Sequence, residues 1–309
     1  MILNTGCRTD IPAYFSEWFC RRVAEGYVMA RNPYRPELVT RYVLDPQVVD
    51  VICFCTKNPA PMLPRLGEFD AFRQFWFVTC TSYGAEIEPN VPDKAAVLAS
   101  IRQLSGIVGP RRVGWRYDPV FLSERYTAEH HLRAFERMAA ELGGRVAFCV
   151  VSFIDLYEKT RRNFPEARAV RPAEQRFLAT EFARIGAAHG IRIRLCCEDA
   201  SLAECGVDVD GCMTREVLEQ ACDIRLDIPC SKRSPRAMCD CLLGADVGAY
   251  NTCPHGCAYC YANYDQRVVA RNLRLHDPAS PLLIGHIQPG DIVRDAHQES
   301  YLAHQLPLF

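Results

Sequence analysis

A short apolar run that ends in a small polar cluster, followed by a longer connection, recurs six times in the first 200 residues, and it constrains the fold more than any other feature. MILNT runs into GCRTD, VVDVICF into CTKNP, QFWFVTC into TSYG, RRVGW into RYDP, VAFCVV into SFID, and IRIRL into CCED. Four of the stretches between them, PAYFSEWFCRRVAEG, VPDKAAVLASIRQLSGIVG, TAEHHLRAFERMAAELGG and RPAEQRFLATEFARIGAAHG, are apolar at helical spacing, and several close on Gly. Pro12 and Pro92 fall near helix starts, where a missing N–H costs nothing. Continuous apolar strands alternating with helices predict an α/β fold with a parallel sheet covered by helices. Six units in series predict a parallel (β/α) barrel or partial TIM-like barrel.

In such folds the working groups stand at the C-terminal ends of the strands. That rule places Arg8, Thr9 and Asp10 at one rim position and Thr56, Lys57 and Asn58 at the next. Thr81 and Ser82, then Arg116, Tyr117 and Asp118, then Ser152 and Asp155, then Glu198 continue the series. Any one cluster is explained by helix capping, since Asp and Ser are common cap residues. Six of them, several mixing opposite charges, read as the lining of an active site.

With 36 basic and 37 acidic residues the formal charge is -1, which predicts no general attraction to a polyanion. Lys159, Arg161 and Arg162 form a local basic group that reads as a solvated face. No apolar run reaches the roughly 20 residues of a membrane span, and MILNTGCRTD lacks the pattern of a signal peptide, so a cytoplasmic, membrane-free protein is expected. Seventeen cysteines in a chain with 49% hydrophobic residues then point to reduced thiols rather than a disulfide framework. Cys20, Cys80, Cys149, Cys205 and Cys222 lie in apolar or amphipathic patterns and read as small hydrophobes.

YNTCPHGCAYCYAN is different. Cys253, Cys257 and Cys260 stand at C-x-x-x-C-x-x-C spacing, and Gly256 lets the backbone turn closely between them. Three thiolates on one loop can hold three corners of a 4Fe-4S cubane and leave one iron without a protein ligand. The competing reading is a tetrahedral zinc site in which His255 joins the three cysteines. Upstream, Cys212, Cys239 and Cys241, with Cys196 or Cys197 as a fourth member, could hold a second iron-sulfur cluster, unless Cys239 and Cys241 merely flank a turn.

The terminal motif resembles that of radical S-adenosylmethionine enzymes: DVGAYN precedes the loop, Tyr259 stands just before the last cysteine, and a helical stretch follows. The resemblance implies that the open iron binds S-adenosylmethionine, whose reductive cleavage yields a deoxyadenosyl radical that takes hydrogen from a substrate. In that family the motif normally follows the first barrel strand, whereas here it follows six units, so the resemblance implies a circularly permuted barrel. A Gly-Gly-Glu-like stretch, which the family often uses for the methionine amino group, does not follow any strand here.

RTDIPAYFSEWF, CTKNPAPML, EPNVP, WRYDP, SFIDLYEK and VGAYNTCPHGCAYCYAN together resemble, nearly end to end, the family called domain of unknown function 1848. On the radical reading, Arg8 and Arg116 hold carboxylate or phosphate, and Lys57 neutralises an anion. Asp10, Asp118 and Asp155 take ribose hydroxyls or substrate donors, and Tyr117 or Cys55 returns a hydrogen atom. Thr56, Asn58, Ser152, Glu198 and Tyr259 are the candidate cofactor-binding residues. The expected partners are a small or nucleic-acid-derived substrate and a reducing donor such as flavodoxin or ferredoxin. The alternative is a metal-stabilised barrel, zinc-bound or with a fully ligated cluster, that acts as a binding module or a hydrolase. Three parts are expected: a barrel domain over 1–200, a cysteine-containing insertion over 201–245 with a basic Ser- and Pro-containing linker at 231–236, and a cluster-binding segment over 246–309.

Overall fold

Alternation along the strands decides which face of the sheet the helices cover. The computed structural model describes residues 1–156, 158–232, 240–242 and 244–303. The chain runs β1 (Ile2–Asn4), α1 (Ile11–Tyr14), α2 (Ser16–Glu25), β2 (Tyr27–Arg31), β3 (Leu38–Val43), β4 (Val51–Thr56), β5 (Gln74–Thr79), α3 (Lys94–Val108) and β6 (Val113–Val120). It continues through α4 (Ala128–Leu142), β7 (Phe148–Phe153), α5 (Glu158–Asn163), α6 (Pro172–Ala188), β8 (Arg192–Leu195), α7 (Arg215–Cys222), β9 (Ala245–Asp246), α8 (Gln266–Leu273) and β10 (Ile292–Asp295).

Seven strands form one sheet in the order β8-β7-β6-β5-β4-β1-β9, and every pairing in it is parallel. Phe54 and Trp76, neighbours on β4 and β5, stack with ring centroids 4.0 Å apart, and Phe54 packs edge-on against Phe19 of α2 and Phe69. Trp115 stacks on Phe135 of α4 at 4.7 Å, and Tyr117 lies between Phe135 and Phe182 of α6. Each such buried aromatic contributes on the order of 1.5–3 kcal/mol. The residues between them point to the other face. There Phe75, Phe77 and Phe148 form an aromatic floor, with Arg116 over Phe77 and Arg194 over Phe148.

Two features depart from a repeated (β/α) unit. Between β4 and β5 the connection is a 3-10 turn, Leu63–Phe69, in place of an α-helix. Between α2 and β4 the chain forms β2 and β3, which make a second sheet of order β10-β3-β2 with the returning tail. Its alternation was too weak to read as strands, because neither face of β3 is continuously apolar and β10 is exposed along its whole length.

A closed barrel is not shown: among the described residues β8 and β9 do not pair, and β9 is only two residues long. An irregular segment lies alongside β8 instead. Leu195 N–H donates to Asp208 and Asp208 N–H to Ile193, and further on Leu242 N–H donates to Met213, just before β9.

Gly6, in the turn after β1, passes close against β4: an added Cβ would meet Cys55 Cβ at 2.3 Å and its carbonyl oxygen at 2.4 Å. Neither neighbour can give way without moving β4. Gly6→Ala is therefore expected to cost about 1–3 kcal/mol, read as a lower denaturant midpoint with an unchanged slope.

Candidate functional site at the strand ends

β9 pairs with β1 in parallel, Leu3 beside Ala245 and Asn4 beside Asp246, and so delivers the C-terminal cysteine loop to the same rim as the first strand. The pairing is extended past the strand by Val247 N–H donating to Asn4 and by Cys7 N–H donating to Asp246 at 2.8 Å. On the far side of the loop, residues 87–90 grip it. Ala258 N–H donates to Ile87, Asn90 N–H to His255, and the Asn90 amide to Pro254 at 2.7 Å. Gly256, at φ 72, passes so near that an added Cβ would lie 3.0 Å from Pro89.

Asp10 is the junction. One carboxylate oxygen caps α1 through Ala13 N–H at 3.0 Å, and the other accepts from Lys57 N–H at 2.7 Å and from His255 Nε2 at 2.8 Å. The remaining ring nitrogen of His255 meets the Tyr14 hydroxyl at 3.0 Å. Both nitrogens are thus engaged by protein groups. What remains in the motif is Cys253, Cys257 and Cys260, all within electrostatic reach of one another. Burial pushes the Cys253 thiol well up and the Cys257 thiol up to about 12, while Lys57 beside Cys257 acts in the opposite direction.

Beside Cys257 lies a buried charge network that sequence reasoning only half found. Lys57 Nζ donates to Glu88 at 2.8 Å and to the Tyr259 hydroxyl at 2.8 Å, and its ammonium also sits 5.4 Å from the Tyr259 ring centre. Glu88, 2% exposed, also accepts from Thr81, Lys94 and Tyr259. Burial pushes the Glu88 carboxyl upward, but Lys57 and Lys94 outweigh it and bring it down to about 2. Glu88 lies in the EPNVP block, which follows no strand end directly, so the rim rule passed over it.

The rest of the rim divides by strand alternation. Arg116 Nε donates to Asp118 at 3.0 Å, and Asp118 accepts from Ser152 through its other oxygen, so these three form one cluster on the face of the sheet opposite α4 and α6. Cys55 lies within electrostatic reach of Arg116, Asp118 and Asp10, and burial lifts its thiol to about 11. Arg8 lies over the Tyr250 ring and 4.0 Å from Asp246. Glu198 accepts from Phe153 N–H at 2.7 Å, and burial lifts its carboxyl to about 8, with Asp155 and Asp118 adding to the rise.

Other expected residues are placed away from the mouth. Tyr117 sits on the helix side, because it alternates with Arg116 and Asp118, and its hydroxyl donates to His131 Nδ1 at 2.8 Å. Thr56 and Asn58 serve the turn after β4, accepting from Asn58 N–H and Ala60 N–H.

Cys196, Cys212 and Cys241 form a second group, with ligand atoms all within 4.8 Å of one another, so this cysteine group could hold a metal ion. Of the vicinal pair, Cys196 is the member gathered in, while Cys197 stands 3.9 Å from Cys196 at a left-handed φ of 62. Cys239, and part of the linker expected at 231–236, fall outside the described residues.

A family model described as Domain of unknown function (DUF1848) matches residues 2–262, and the chain belongs to that family. No curated protein and no solved structure matches it. Among the described residues no helix is long and apolar enough to cross a membrane.

Replacing Glu88 by Gln leaves two lysines beside a neutral amide. Because folding lowers the Glu88 pKa from 4.5 to about 2, its stabilisation is complete above pH 4.5 and fades as pH falls towards 2. Glu88→Gln is expected to lose about 3–5 kcal/mol at pH 7, and its unfolding midpoint should approach the native one between those two pH values.

Proposed function

We propose that the chain is an iron-sulfur enzyme of the radical S-adenosylmethionine type, with Cys253, Cys257 and Cys260 as the cluster ligands. The observation that carries this reading is the engagement of His255 by Asp10 and Tyr14, which leaves a donor set of three thiolates, one fewer than a cubane has irons. When bound, such a cluster supplies the electron that cleaves S-adenosylmethionine to the radical that takes hydrogen from substrate. The sheet order supports the same reading. Read from β9, the strands follow as β9, β1, β4, β5, β6, β7, β8, which is the order of a barrel whose cysteine-bearing strand has been moved from the start of the chain to its end.

The chain's own residues have distinct tasks in this proposal. Lys57, Glu88 and Tyr259 hold the loop rigid and place a buried positive charge near Cys257, which favours its thiolate. Arg116, Asp118 and Ser152 line the sheet face opposite α4 and α6, where an anionic or hydroxyl-bearing substrate is held. Cys55, on that same face, is the hydrogen-atom donor in place of Tyr117, whose hydroxyl is spent on His131. The substrate class is a small or nucleic-acid-derived molecule, and flavodoxin or ferredoxin supplies the electron.

Anaerobic reconstitution tests this. A brown chain whose spin-resonance spectrum changes on adding S-adenosylmethionine is expected, with that response lost in Cys253→Ala, Cys257→Ala and Cys260→Ala and the iron retained in His255→Gln. A colourless chain that holds one zinc and loses it in His255→Gln would overturn the assignment in favour of a metal-stabilised binding module or hydrolase.

A further inference from the structure

The second cysteine group has a geometry of its own. Its sulfur atoms stand 3.4 Å (Cys212 to Cys241), 3.5 Å (Cys196 to Cys212) and 3.8 Å (Cys196 to Cys241) apart. Zn–S bonds of about 2.3 Å at tetrahedral angles separate ligand sulfurs by about 3.8 Å. A cubane binds each thiolate to a different iron and so spreads the sulfurs well beyond that spacing. These three sulfurs therefore stand closer together than the cubane expected of Cys212, Cys239 and Cys241 with Cys196 or Cys197 would hold them.

Its surroundings are built to hold sulfur. All three cysteines are buried, each at most 9% exposed. Cys241 Sγ accepts from the Cys212 N–H at 3.2 Å and the Met213 N–H at 3.4 Å. That approach requires Gly211, which holds φ 101 and whose added Cβ would stand 3.2 Å from the same sulfur. Three thiolates around a dication leave a net negative charge, and the Arg116 guanidinium lies within electrostatic reach of Cys212 and Cys196.

We propose that Cys196, Cys212 and Cys241 bind a single zinc ion through three thiolates. The ion joins the end of β8, the irregular segment beside it and the chain entering β9. It thereby closes chemically the interval that backbone pairing leaves open, and it anchors the strand that carries the C-terminal cysteine loop.

The test uses the full chain, purified anaerobically from zinc-supplemented growth and passed through a weak chelator. Elemental analysis is expected to find about one zinc per chain, and X-ray absorption at the zinc edge a shell dominated by sulfur near 2.3 Å. Cys241→Ser should lose the zinc at least about fivefold while its iron content stays unchanged. The absorption measurement is repeated on Cys257→Ala, whose sulfur shell must persist because the terminal loop is not the zinc site, so the result stands even if Cys241→Ser fails to fold. Zinc removed by the weak chelator, a shell of nitrogen and oxygen only, iron lost from Cys241→Ser, or a native mass two hydrogens light from a Cys212–Cys241 disulfide would each overturn the proposal. None of these readouts involves S-adenosylmethionine, so the zinc site can fail while the radical assignment stands, and the reverse.

Discussion

The carboxylate of Asp10 joins three parts of the chain that are far apart in sequence: the loop after β1, the end of β4 and the C-terminal cysteine loop. A carboxylate can accept several hydrogen bonds at once, and in a buried setting each is worth more than it would be in water. Here the acceptors are filled by a helix cap, a strand end and an imidazole. The same contact that positions the cysteine loop also engages His255 Nε2. In the proposed assignment, position and donor set both depend on this one interaction.

Around that junction the charges are arranged in buried or half-buried pairs rather than spread over a surface. Lys57 with Glu88 and Arg116 with Asp118 place cations at the mouth without leaving them unpaired. A near-neutral chain can in this way present strong local fields. The cost is desolvation, offset only while each partner stays in place, which makes the network a source of rigidity more than of net stability. Rigidity suits a loop whose thiolates must hold one geometry.

The two cysteine groups differ in how they are assembled. The C-terminal motif is local: its three thiols come from one turn, and Gly256 permits the turn. The second group is assembled across the fold, from the end of β8, from the segment before α7 and from the chain ahead of β9. Local spacing can be read from a sequence because chain geometry limits where neighbours can go. Convergence of distant residues cannot, since closing long loops depends on everything packed between them.

The amino-acid sequence alone marked six of the parallel strands, the helices α2, α3, α4 and α6, and the C-terminal thiol trio, because each rests on a short-range period or spacing. It also marked Arg8, Asp10, Lys57, Arg116 and Asp118 by their places at strand ends. Only the tertiary structure decided that Tyr117 faces the helices, that Glu88 is the hub of the Lys57 network, that Cys196 rather than Cys197 joins Cys212 and Cys241, and that β8 and the two-residue β9 do not pair among the described residues. Each of these depends on which of two faces a side chain takes or on which remote segment reaches it first. Those choices are made by packing over the whole chain, and no local pattern encodes them.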